Sequence, residues 1–170
     1  MYTNARLGHA LVLLREYGEA REVVSDVIET ARGLDRQKER MCLDVLGRAA
    51  LGLGDAQTAL DCAEQALALN RGTRHQIFET ISLTDAAVAL RHLGRDEEAA
   101  ARHAEAMGIL ERGGETHRMV QSLLPYAEAC LATGDRDAAT RHFQEALEIA
   151  TADGLSYLVS AARAGLSRAS

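Results

Sequence analysis

The chain has 170 residues, of which 47% are hydrophobic but only 4% aromatic, with no Trp and a formal charge of -6. That length suits one domain with a sizeable core or a short repeat array, and two independent domains would be a squeeze. The acidic balance excludes the basic footprint that direct binding to nucleic acid or an anionic membrane requires.

In chain order the apolar periodicity predicts helices in pairs. First helices fall near 2–15, 36–53, 74–93 and 115–133, second helices near 18–32, 56–71, 96–112 and 136–152, and a single helix closes the chain near 155–168. The pairs make hairpins over about 2–33, 36–72, 74–113 and 115–153, all within one domain covering 1–170. The segments "LGHALVLLREYGEAREVVSDVI", "LGRAALGLGDAQTALDCAEQAL", "AAVALRHLGRDEEAAARHAEAM" and "YAEACLATGDRDAATRHFQEAL" align without gaps at offsets of 39, 40 and 40 residues. Gly54, Gly94 and Gly134 end the first helix of their pair, and Asp55, Asp96 and Asp135 are placed to cap the second. The first copy has Arg15 at the glycine position, with Tyr17 and Gly18 left to make the turn.

In the last helix Leu155, Leu158, Val159, Ala162 and Leu166 form an apolar stripe, with Ser156, Ser160, Arg163 and Ser167 elsewhere, as a terminal cap requires. The first helix carries Leu11, Val12, Leu13 and Leu14 on all sides. That is the pattern of an internal helix, and it suggests a fragment of a longer protein. Its apolar run is too short for a leader peptide or a membrane span. Cys42, Cys62 and Cys130 lie far apart with no C-x-x-C, which fits reduced, buried thiols in a cytoplasmic protein.

The recurring "LG" at Leu7–Gly8 and Leu46–Gly47, the "GD" turns, Ala20, Ala59, Ala99 and Ala139, and Ala66, Ala106 and Ala146 resemble the tetratricopeptide repeat. A period of 40 residues exceeds the usual 34 or so, and HEAT-like helix pairs are the alternative at that length. The resemblance implies an all-α, right-handed solenoid that binds a protein or peptide in a concave groove. The "LGR..EA..RH..A" phrasing narrows the likeness to the C-terminal arrays of large bacterial transcriptional regulators, of the Streptomyces antibiotic regulatory or the LuxR-like ATP-dependent type.

Transferred position by position, the resemblance implies that the groove is lined by Tyr2, Ala5, Arg6 and His9, by Met41, Asp44 and Arg48, by Thr84, Asp85, Val88 and Arg91, and by Gln121, Leu124 and Glu128. The Lys and Asn pattern with which some relatives hold a C-terminal carboxylate is missing, because Ala5, His9, Val45 and Asp85 take those places. A partner protein, a peptide or another domain of the same parent is the expected ligand. Self-association into a homodimer and sensing of a small-molecule effector are the alternatives.

Enzymatic chemistry finds no support. There is no phosphate-binding glycine loop, no G-x-S-x-G and no nucleophile with a base at a meaningful spacing. None of the six histidines pairs with another His or Cys at i+3 or i+4, so no metal site or other cofactor is expected. His103 stands where the fourth copy has Phe143 and reads as a packing residue. Glu97 and Glu98 fall in a first helical turn, where the helix dipole favours acids. Pro125, inside a predicted helix, should kink it or delay its start.

Overall fold

The computed structural model describes residues 3–71 and 76–170, which form α-helices joined by short turns and no strand. They are α1 (Thr3–Leu13), α2 (Tyr17–Ala31), α3 (Arg36–Gly52), α4 (Ala56–Asn70), α5 (Gln76–His92), α6 (Asp96–Gly113), α7 (Thr116–Ala132), α8 (Arg136–Ala152) and α9 (Ser156–Ala169). α3, α7 and α9 start at multiples of 40 residues from one another, as do α4, α6 and α8. The sequence period is thus the structural period. Consecutive first helices touch along the chain, α1 on α3, α3 on α5, α5 on α7 and α7 on α9. Each second helix packs against both the first helix of its own pair and that of the next. The result is a two-layer α-solenoid with the odd-numbered helices forming a continuous inner layer.

Small residues set how closely the layers approach. Ala20, Ala99 and Ala139 are fully buried and Ala59 nearly so, each in the second helix facing its partner. Opposite them stand Gly8, Gly47, Ala87 and Ala127. A Cβ on Gly47 would lie 3.4 Å from the Ala59 carbonyl oxygen and 3.2 Å from the Cys62 Cβ. The two alanines show that the third and fourth copies, which lack the "LG" pair, keep the small residue that the crossing needs.

The turns repeat one device with local substitutions. Gly54, Gly94 and Gly134 have φ of 85°, 70° and 91°, the left-handed conformation that glycine adopts at little cost. In the first hairpin Arg15 itself takes φ 64°, whereas Gly18 lies inside α2. The expectation that Tyr17 and Gly18 make that turn is therefore corrected: the backbone keeps the repeat geometry, and Arg15 bears the strain. The Asp35, Asp55 and Asp135 carboxylates each accept the backbone N–H three residues on at 3.0 Å, contacts worth about 1 kcal/mol apiece. Asp96 does not cap. Arg95 occupies the N-cap position of α6 without a side-chain cap, and Asp96, one residue inside, is drawn to Arg91.

α7 begins at Thr116 and runs through Pro125, so the proline does not delay the helix. Having no N–H, it leaves the Gln121 carbonyl without the usual i+4 donor. The three cysteines are free and buried, and burial pushes their thiols up. His103 is 5% exposed, its ring stacked on Tyr126 at 4.1 Å with neither nitrogen hydrogen-bonded among the described residues. Burial, with a smaller contribution from His142, pushes its pKa down to about 3, so it packs as a neutral ring. His142 sits edge-on to the rings of both His103 and Tyr126. It is a packing residue and not the ordinary surface position that the linear sequence indicates.

α9 buries Leu158, Ala162, Gly165 and Ala169 against the stack and exposes Ser156, Ser160, Arg163 and Ser167. At the opposite end, Leu7, Leu13 and Leu14 of the first hairpin remain 48%, 71% and 70% exposed.

Candidate functional site

The inner layer encloses a groove of about 700 Å3 that crosses every odd-numbered helix. His9 and Val12 line it from α1, Asp44, Arg48 and Leu51 from α3, and Ile81, Thr84, Asp85, Val88 and His92 from α5. α7 contributes Arg118, Gln121, Leu124 and Pro125, and α9 contributes Leu158. A side pocket of about 310 Å3 continues towards the N-terminal end, between Ala5, Arg6, His9, Arg40, Met41, Asp44 and Val45. His9 and Asp44 stand at the junction of the two cavities.

Most of the polar groups in this wall are already engaged. The Arg48 guanidinium donates to both Asp85 carboxylate oxygens at 3.2–3.3 Å, tying α3 to α5. Asp85 favours the charged form of Arg48 and raises its pKa further. Arg40 is buried, donates to Asp44 at 2.7 Å and lies 3.9 Å above the Phe78 ring. Burial, reinforced by Asp85, pushes the Asp44 carboxyl up to about 7 against the pull of Arg40 and Arg48. Burial also lowers the pKa of His9 and of His92, favouring the neutral imidazole at both. The Ser122 hydroxyl lies 2.7 Å from that of Thr84, which itself donates to the Thr80 carbonyl.

The residues expected at the groove divide accordingly. His9, Asp44, Arg48, Thr84, Asp85 and Gln121 come together around it, with Val88 and Leu124 among them, and Arg6 and Met41 line the side pocket with Ala5. Tyr2 lies outside the described residues. Arg91 does not face the groove. It is 6% exposed and bridges two turns, reaching Asp96 at 3.0 Å, Asp135 at 3.2 Å and the Thr133 hydroxyl at 3.1 Å. Glu128 shares the repeat position of Arg48 and Val88 but does not line the groove, and it pairs with Arg168 of α9.

Sequence reasoning missed Arg118, His92, Ile81 and the buried Arg40. His92 and Ile81 lie on helix faces that periodicity alone assigns to packing or to solvent. Arg40 was hidden because an arginine near the start of a helix reads as a surface charge. No cluster of three or more metal-binding side chains occurs among the described residues. No described helix is long and apolar enough to cross a membrane.

Against known proteins, residues 79–152, spanning α5 to α8, match the tetratricopeptide repeat family model. That segment is similar to tetratricopeptide repeats. The whole chain shares its fold with two crystal structures of nearly identical TPR-like repeats, described as from a Podosopora anserina kinesin light chain, one of them carrying a single substitution. The substituted form is 19% identical with a TM-score of 0.70 over 98% of this chain and 83% of the other. The second is 17% identical with a TM-score of 0.66 over 96% of this chain and 93% of the other. At those identities the likeness establishes the tetratricopeptide-like solenoid and nothing finer. No curated protein matches the chain. Tetratricopeptide repeats generally mediate protein–protein interaction.

Proposed function

We propose that the chain is a non-catalytic interaction module that holds a peptide or a protein segment in its inner groove. The observation that carries this reading is the groove itself, whose apolar residues Val12, Ile81 and Leu124 are partly exposed between charged pairs already satisfied within the protein. A surface of this kind gains from covering apolar area and loses little by desolvating charges. The parent best suited to it is a cytoplasmic bacterial transcriptional regulator, in which the array receives a partner or another domain of the same chain. That context rests on the phrasing of the repeats. The net charge of -6 makes direct contact with nucleic acid unfavourable.

The test is a displayed peptide library panned on the protein, with the selected binders remeasured on a His9→Trp, Gln121→Trp variant. Both side chains are exposed in the groove, so filling it this way should change stability by no more than about 0.5 kcal/mol. Binding should weaken about tenfold or more, a change of roughly 1.4 kcal/mol. Undiminished binding by every selected peptide would remove the groove reading.

A second reading, self-association, is favoured by the exposed Leu7, Leu13 and Leu14 at one end of the stack. If it holds, light scattering should show a concentration-dependent dimer that disappears on Leu13→Glu, Leu14→Glu substitution. A monomer throughout would rule it out.

A further inference from the structure

We infer that the partner segment is acidic and amphipathic, seating a Glu or Asp carboxylate on Arg118 while its apolar side chains cover Ile81 and Leu124. This rests on the groove reading above and adds the chemistry of the occupant. Arg118 is in the first turn of α7 and lines both the inner groove and a neighbouring pocket of about 340 Å3 between α5, α6 and α7. It is half-buried, yet no carboxylate of the described residues lies within ion-pair distance of its guanidinium. Glu115, three residues earlier, lines that same neighbouring pocket without pairing to it. Residues 1–2 and 72–75 contain no Asp or Glu and so add no side-chain carboxylate.

That combination is unusual within this molecule. The other arginines among the described residues either have a carboxylate within 4 Å or are exposed, where water solvates the charge. Arg118 has lost part of its water without gaining an anion, and a guanidinium in that state binds a carboxylate with less desolvation cost than a surface arginine. The groove's charge points the same way. Arg48 is matched by Asp85 and Arg40 by Asp44, leaving Arg118 as the unmatched cation of the wall. A protein whose net charge is -6 thus presents an unmatched positive charge in the wall of its groove. Complementarity of this kind selects partners more than it adds affinity. Beside Arg118, Pro125 leaves the Gln121 carbonyl without its helical donor, an acceptor suited to a backbone or side-chain N–H of the same segment.

The experiment uses two fluorescein-labelled pools of short amphipathic peptides with the same degenerate apolar positions. One pool carries Glu at every polar position and the other Lys. At physiological salt the acidic pool should bind the wild-type protein about tenfold or more tightly than the basic pool. Arg118→Gln should abolish the preference and Arg118→Glu should reverse it, whereas Arg112→Glu, an exposed charge outside the groove, should leave it in place. Circular dichroism confirms that each variant is folded, and Arg118→Gln serves if the reversal does not fold. Equal binding of the two pools, or a preference that survives both Arg118 substitutions, overturns the inference. If that binding is lost in the groove-filled variant, the groove reading stands without the acidic partner. If neither pool nor any library peptide binds, both fall.

Discussion

Phe143→Ala should lower the free energy of unfolding by about 3–5 kcal/mol, the range for deleting a buried aromatic ring. Phe143 is fully buried and heads the largest such side chains among the described residues. It projects from α8 onto α9, where Gly165 offers no side chain, and a Cβ built there would stand 2.2 Å from the ring. Truncation opens a cavity at a junction through which α9 covers the last hairpin, and a helix of 14 residues has little stability apart from such packing. The midpoint of thermal unfolding should fall by roughly 6–20 °C, at about 2–4 °C per kcal/mol for a chain of this size. Hydrogen exchange in α9 should accelerate more than exchange in α3 or α4, because stack elements open locally. Gly165→Ala, which inserts a methyl group where the ring lies, should destabilise in the same direction. A loss below about 1 kcal/mol for Phe143→Ala would mean that the ring is not wedged between these helices.

Much of this architecture was legible in the sequence. The boundaries of α3, α4, α6, α7 and α8 fall within two residues of the predicted ones, because the 40-residue register and the turn glycines fix both ends of each helix. Gly165 was not legible, since a glycine within a helix reads as a weak helix former and only the third dimension shows the ring that requires it. The groove was legible in part. Asp44, Asp85 and Gln121 lie on the inner-layer face of their helices and do converge, but a helix face says nothing about which charges will neutralise one another across helices. Arg48 and Asp85 are 37 residues apart and meet only because the repeats stack. Arg118 escaped notice for the converse reason, that its significance lies in a partner it lacks. Arg91 was misplaced because its charge outweighed its register. One period away in either direction stand Leu51 and Leu131, both half-buried and packed against the core, so the position packs inward even where, at Leu51, it also borders the groove.

The joint at Arg91 therefore yields the second large effect, on stability and not on binding. Arg91→Glu should cost about 3–5 kcal/mol, the penalty for leaving a buried charge uncompensated. The new carboxylate would face Asp96 and Asp135, which now stand 3.0 and 3.2 Å from the two guanidinium nitrogens, and would forfeit the bond to Thr133. Asp135 also caps α8, so repulsion there loosens the start of that helix together with the contact between adjacent turns. Arg91→Met separates charge from packing. It keeps most of the aliphatic stem, and the two acids it abandons are 62% and 41% exposed and regain water, so the loss should be nearer 1–2 kcal/mol. Asp96 is not a cap, which makes it the right partner for a double-mutant cycle. Arg91→Glu combined with Asp96→Arg should recover about 0.5–3 kcal/mol relative to the sum of the single changes. Urea unfolding of the four proteins measures all of these terms. An Arg91→Glu variant as stable as wild type would place the guanidinium in solvent and return Arg91 to the groove; a large loss with restored stability in the double variant identifies it as the bolt between the third and fourth hairpins.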